Sequence, residues 1–227
     1  MKKRPQAVIL LSGGLDSATT LFFARREGYD CNCLIFDYGQ RHKKEIARAR
    51  RLARRARSRS TVVRISLPWK GSSLLDRKLP IPERRTPREI QKKIPSTYVP
   101  ARNTIFIAYA LSYSESIGAR AVFIGAHAQD SSGYPDCRKK YFHAFQETAR
   151  LGTRQGVEGK GIEIITPLIT MSKREIIELG AALQVPFRLT WSCYYGGSSP
   201  CGVCDSCLLR KKGFKEAGID DPLIAQE

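Results

Sequence analysis

The stretch Ala7-Val8-Ile9-Leu10-Leu11-Ser12-Gly13-Gly14-Leu15-Asp16-Ser17-Ala18-Thr19-Thr20-Leu21 decides how the chain begins to fold. Its first five residues are apolar without alternation, the pattern of a parallel strand buried on both faces. Two glycines then let the backbone turn tightly and bring its N–H groups close to a bound anion. The spacing of Ala18, Leu21, Phe22 and Ala24 predicts a helix from about Ser17 to Glu27 with one buried stripe, closed by Gly28. Such a helix aims free N–H groups and its positive dipole end at whatever sits on the turn. Ser12 and Ser17 add hydroxyl donors, and Asp16 is placed to hold a magnesium ion on phosphates. No Gly-Lys-Ser/Thr follows, so the turn is not a Walker A loop.

Outward from this stretch, strands and helices alternate. Cys33–Phe36 reads as a second strand, His42 to about Ala56 as a helix, and Thr61–Ile65 as a third strand. The rhythm breaks from about 66 to 100, where Pro68, Pro80, Pro82, Pro87, Pro95 and Pro100 predict a long excursion, of a length found in functional lids or in disordered segments. Regular structure resumes with a helix over 103–117, a strand over 121–125, a helix over 139–151, a strand over 162–165 and a helix over 172–183. Ser172 and Glu175 form a capping box at the start of that last helix. This order predicts an α/β fold: a Rossmann-like parallel sheet with helices on both faces, and a ligand site beyond the carboxyl ends of the strands. We expect residues 1–190 to form this domain and 191–227 a small C-terminal metal-binding segment.

The chain has 227 residues, 42% apolar and 26% charged, as expected of one globular domain with room for a small appendage. No apolar run reaches the roughly 20 residues that span a bilayer. The basic start Met1–Pro5 precedes an apolar run too short for a signal sequence, so a cytoplasmic location is expected. A net charge of +18, concentrated in 41–59 and 84–93, attracts anions: ATP, acidic substrates or RNA. For Arg48, Arg50, Arg51, Arg54, Arg55 and Arg57 the plainer reading is the solvated face of a helix.

Seven cysteines, an odd number, do not suggest a secreted disulfide framework. Cys193, Cys201, Cys204 and Cys207 have the spacing of a closed tetrahedral zinc site, with Gly196, Gly197 and Gly202 letting the chain turn around it. Four protein ligands leave no open position, so the expected role is structural, with a short helix over 208–217 following. Cys31 and Cys33 share one strand face, where packing is expected, and Cys137 is expected to be a packed thiol.

Ser12–Ser17 resembles the SGGxDS signature of the PP-loop, or N-type, ATP pyrophosphatases, which cleave ATP between its α- and β-phosphates. Further strings follow: Asp37-Tyr38-Gly39-Gln40-Arg41-His42 with Glu45; Tyr98-Val99-Pro100-Ala101-Arg102-Asn103; Gly125–Asp130; Gly133-Tyr134-Pro135-Asp136-Cys137-Arg138; and the four cysteines. Together they resemble the QueC family of 7-cyano-7-deazaguanine synthases from about Ala7 to Gly213. The resemblance implies an adenine nucleotide alpha hydrolase-like fold. It also implies ATP with Mg2+, 7-carboxy-7-deazaguanine and ammonia as reactants, a structural Zn2+, a homodimer, and neither a membrane nor a nucleic-acid substrate. ATP is expected on Leu11, Ser12, Gly13, Gly14, Leu15, Asp16, Ser17, Ala18, Thr19, Thr20 and Leu21. The expected catalytic groups are Asp16, Ser17, Lys173 and Arg102. For the acid substrate they are Tyr38, Gln40, Arg41, His42, Arg102, Asn103, Asp130, Tyr134, Asp136 and Arg138. Of these, Asp130 or Asp136 is expected on the guanine-like edge and Tyr38 or Tyr134 stacked on the ring, with Arg102, Arg138 and Lys173 on anionic groups. Local alternatives stay open: Asn103 as a helix cap, His127 as a core histidine, Tyr134–Asp136 as a plain turn and Lys173 as a solvated lysine. A PP-loop tRNA-modifying enzyme, a lysidine synthetase or thiolase, is the main competing class. It is disfavoured by the lack of an appended RNA-binding domain and of a second cysteine suited to work with Cys137.

Overall fold

The computed structural model describes residues 4–92, 94–127 and 133–224. Five parallel strands form one sheet: β1 (Gln6–Leu10), β2 (Asp30–Asp37), β3 (Arg59–Arg64), β4 (Ala121–Phe123) and β5 (Glu163–Ile165), in the order β3-β2-β1-β4-β5. The order reverses between β1 and β4, so a crevice opens at their carboxyl ends, where ligands bind in open α/β sheets. Among the described residues the α-helices are α1 (Leu15–Arg26), α2 (Lys44–Arg55), α3 (Pro87–Lys92), α4 (Arg102–Ile117), α5 (Lys139–Gly152), α6 (Arg154–Val157), α7 (Lys173–Ala182) and α8 (Asp205–Ala217).

Alternation along the strands divides the core. Ala7, Ile9, Cys31, Cys33, Ile35 and Phe123 face α1, α2, α7 and α8, whose Leu21, Leu52, Ile176 and Phe214 complete one layer. Val8, Leu34, Phe36 and Val122 face α4 and α5 through Ile107, Leu111 and Phe142. Helices therefore cover both faces, as the sequence predicts. Cys31 and Cys33 are core residues; burial pushes the Cys31 thiol up to about 12 and the Cys33 thiol up as well, so neither is a nucleophile.

The expected helices start and stop within a few residues of the observed ones, and the Ser172–Glu175 capping box forms in both directions. The excursion 66–100 is packed against the rest of the chain. Ser73 N–H donates to the Ser96 carbonyl at 2.8 Å, and Arg84 N–H donates to the Val203 carbonyl at 2.8 Å. Arg85 pairs with the buried Asp205, tying the excursion to the cysteine segment. Among the described residues no helix is long and apolar enough to cross a membrane.

Candidate active site

A cleft of about 300 Å³ opens at the β1/β4 reversal, lined by the glycine turn, the β2–α2 connection, the end of the excursion, the start of α4 and residues around Trp191. The turn is held by its own serines. Ser12 N–H donates to Ser17 Oγ at 3.2 Å, the two hydroxyls lie 3.0 Å apart, and Gly14 N–H donates to Ser12 Oγ at 3.3 Å. Gly13 has φ +89°, and a Cβ there would overlap the Glu45 carbonyl oxygen, so only glycine lets the turn lie against α2. Leu11, Ser12, Gly14, Leu15, Asp16 and Ser17 line the cleft. Ala18, Thr19, Thr20 and Leu21 lie fully buried in the core side of α1, away from its wall.

Asp16 meets Lys173 across the cleft. Lys173 Nζ donates to Asp16 Oδ1 at 2.6 Å and lies 2.9 Å from His127 Nε2, which in turn is 3.8 Å from Asp16 Oδ2. Burial alone raises the Asp16 pKa, but the Lys173 charge and then His127 overcome it and hold the carboxyl below its ordinary value. Lys173 is buried rather than solvated, with its stem crossing Gly213 of α8.

On the opposite wall, Arg102 donates to the Tyr38 hydroxyl at 3.1 Å, and its guanidinium lies over the Tyr38 and Phe106 rings. Phe106 stacks on Phe36 with centroids 4.0 Å apart. Burial raises the Tyr38 pKa, leaving a neutral phenol. The neighbouring sequence-predicted residues turn out to be committed to the scaffold. Gln40 accepts from Tyr38 N–H at 2.9 Å and donates to the Phe36 carbonyl at 3.1 Å, closing the β2–α2 connection. Arg41 lines the cleft, yet its guanidinium holds the Ser73 and Leu79 carbonyls of the excursion, each at 3.1 Å. His42 packs against Gly196 beside the cysteines, and burial lowers its pKa.

Asp136 is buried, and its carboxylate accepts from Asn103 N–H at 2.9 Å, capping α4 from a distant part of the chain. Asn103 Nδ2 donates to the Asp136 carbonyl and to Cys137 Sγ, each at 3.1 Å. Asn103 is thus the capped residue rather than the cap. Tyr134 shares a 2.9 Å hydrogen bond with Thr97 and leans on Tyr98. Arg138 is exposed and lies outside the cleft lining; Asp130 lies outside the described residues.

Sequence reasoning missed the roles of several lining groups. Trp191 N–H donates to the Gly13 carbonyl at 2.9 Å, joining the cysteine segment to the turn. Arg210, buried, pairs with Asp221 at 2.6 and 2.8 Å and donates to Thr190 at 2.8 Å. Glu45 lines the cleft as well. These partners are far apart in sequence, and no local pattern marks them.

The four cysteine sulfurs all lie within 4.8 Å of one another, with Cys201 and Cys207 at 3.9 Å. A tetrahedral ion with bonds of about 2.3 Å needs sulfurs about 3.8 Å apart, so the cluster fits zinc, and none of the four is in a disulfide. Lys44 caps this loop through the Ser198 carbonyl at 2.7 Å while lying 3.7 Å over the Trp191 ring.

Residues 6–218 match the family model described as queuosine biosynthesis protein QueC. The chain belongs to the QueC family. Its QueC-family relatives include the 7-cyano-7-deazaguanine synthase of Nostoc punctiforme (strain ATCC 29133 / PCC 73102), 52% identical over 221 residues that cover 96% of this chain and 99% of that one. The 7-cyano-7-deazaguanine synthase of Anaeromyxobacter sp. (strain Fw109-5) is 50% identical over 229 residues, covering 99% of this chain and 98% of its own. Among solved structures, NMN synthetase from Francisella tularensis superposes with a TM-score of 0.49 at 13% identity, over 96% of this chain and 88% of that one.

Proposed function

We propose that this QueC-family chain converts 7-carboxy-7-deazaguanine and ammonia into 7-cyano-7-deazaguanine at the expense of ATP. The observation that carries the reading is one cleft joining a phosphate-binding turn, the Asp16–Lys173–His127 cluster and an Arg102–aromatic wall. A carboxylate is a poor electrophile, because substitution would have to expel oxide. In the proposed sequence its oxygen attacks the α-phosphorus of ATP and pyrophosphate leaves, giving an acyl adenylate. Ammonia adds to the acyl carbon, loses a proton and displaces AMP, giving the amide. The amide oxygen then attacks the α-phosphorus of a second ATP and pyrophosphate leaves; loss of AMP and of both nitrogen protons gives the nitrile.

The chain's contribution is position and charge. Backbone N–H groups of the Ser12–Ser17 turn and the Ser17 hydroxyl would hold the departing pyrophosphate. Lys173, buried beside the turn, would face charge developing on the α-phosphate, and Arg102 the substrate carboxylate. Asp16 is the carboxylate that would hold Mg2+, which offsets phosphate charge when bound. Asp136 would act at one remove, by setting the start of α4 and so the direction of Arg102. The four thiolates would hold Zn2+ outside the chemistry, within a segment 191–227 that we treat as an appendage of the 1–190 domain. A homodimer working in the cytoplasm completes the proposal. Pyrophosphate exchange into ATP tests the first step. We expect exchange that requires the acid substrate but not ammonia; exchange indifferent to the acid would refute the acyl adenylate.

A further inference from the structure

Three carboxylates of described residues line the cleft: Asp16, Glu45 and Asp136. Lys173 holds the first, and the backbone N–H of Asn103, the second residue of α4, holds the third. Glu45, in the first turn of α2, makes no hydrogen bond or ion pair to any described residue, although Arg102 lies close enough to act on its charge. Its side chain is half-buried and lines the cleft. Beside it stand Tyr38 and the stacked pair Phe36 and Phe106, all on the same wall.

A bare carboxylate is out of place in a cleft that must admit a triphosphate and a carboxylic acid, both of which it repels. Its counterpart must be a group rich in donors. A guanine-like ring offers two adjacent parallel donors, the ring N–H and the exocyclic amine, which match the two oxygens of one carboxylate. An adenine edge pairs one donor with one acceptor and would set a ring lone pair against a carboxylate oxygen.

We infer that Glu45 is the specificity group that receives both N–H donors of the deazaguanine ring, with the ring lying against Tyr38, Phe36 and Phe106. The inference rests on the substrate proposed above. Burial pushes the Glu45 carboxyl up to about 7, and a ligand presenting two donors favours its ionised form, so binding should lower that value.

The test compares wild type, Glu45→Gln and Glu45→Ala on 7-carboxy-7-deazaguanine and on its analogue lacking the exocyclic amine, at saturating ATP and ammonium. ATP affinity and thermal unfolding are measured on the same preparations to establish that the variants fold. For wild type, losing the amine should cost at least about 100-fold in kcat/KM. In Glu45→Ala the preference should collapse to within about 5-fold, because the acceptors that reject the analogue are gone. In Glu45→Gln it should fall because the amide keeps one acceptor and sets a donor against the second ring N–H, with the KM for ATP unchanged in both. A variant that keeps the wild-type preference, or that loses ATP affinity as strongly as acid affinity, overturns the assignment. So does a raised ammonium KM with the preference intact, which would make Glu45 a proton acceptor for ammonia. Wild type that ignores the acid altogether would sink the substrate reading as well as the role of Glu45.

Discussion

Gly213→Ala is the smallest change that reaches the proposed chemistry from outside the cleft. A Cβ at 213 would overlap Lys173 Cγ and come within 2.9 Å of Ile177 Cδ1 and 3.1 Å of Lys173 Cβ. These Lys173 atoms lie near the backbone, so the stem must change rotamer, and Nζ then leaves its 2.6 Å contact with Asp16. Overpacking costs about 1–3 kcal/mol. Alanine in place of glycine inside a helix returns about 1 kcal/mol. The net loss of about 0–2 kcal/mol lowers Tm by no more than about 8 °C for a chain of this size. A displacement of about 1 Å at a positioned charge costs on the order of 100-fold in rate. Pyrophosphate release and thermal unfolding, measured together, should therefore show activity falling far more than stability. Gly152→Ala is the control: nothing lies within 4 Å of a Cβ there, and its rate should equal that of wild type. Wild-type kcat/KM in Gly213→Ala would refute the proposed dependence on Lys173 position.

Glu45→Gln should also change how stability depends on pH. The folded carboxyl titrates at about 7 against an ordinary 4.5, because it is buried. The folded state thus binds the proton more tightly, and wild-type stability falls as pH rises from 4.5 to 7, by at most about 3 kcal/mol. Urea unfolding should find Glu45→Gln more stable than wild type at pH 8 but nearly equal at pH 4.5; an equal gain at both would contradict this. Cys204→Ser should abolish zinc binding at the cysteine cluster, lower Tm and weaken ATP binding, because Trp191 ties the cysteine segment to Gly13. Zinc analysis beside ATP titration checks this, and unchanged ATP affinity without zinc would remove the coupling. Gly13→Ala forces a left-handed φ and an overlap with α2, so it should abolish ATP binding even where the fold survives; a normal ATP affinity would show that the turn tolerates a side chain there.

The fold was legible because its signals are local. Ala7–Leu11 is uninterrupted because β1 is buried on both faces, and Ser172 and Glu175 mark a helix start within four residues. The cysteine spacing likewise carries its own geometry. What the sequence hid is which polar side chains the scaffold uses up. Gln40 and Arg41 sit in a discriminating string, but their hydrogen bonds go to backbone carbonyls of the connection and the excursion. Asp136 reads as a turn residue and caps a helix 33 positions earlier in the chain. Arg138, two residues on, is exposed at the N-cap of α5. Glu45, given no role by the sequence, stands out only once the other carboxylates of the cleft are seen to be paired.

The central claim is tested most directly by incubating the chain with ATP, magnesium, ammonium and 7-carboxy-7-deazaguanine and following the products by mass spectrometry. The account predicts the amide as a transient species, the nitrile as end product and two AMP for each nitrile. ATP consumed only when tRNA is added, or AMP formed without amide or nitrile, would contradict it.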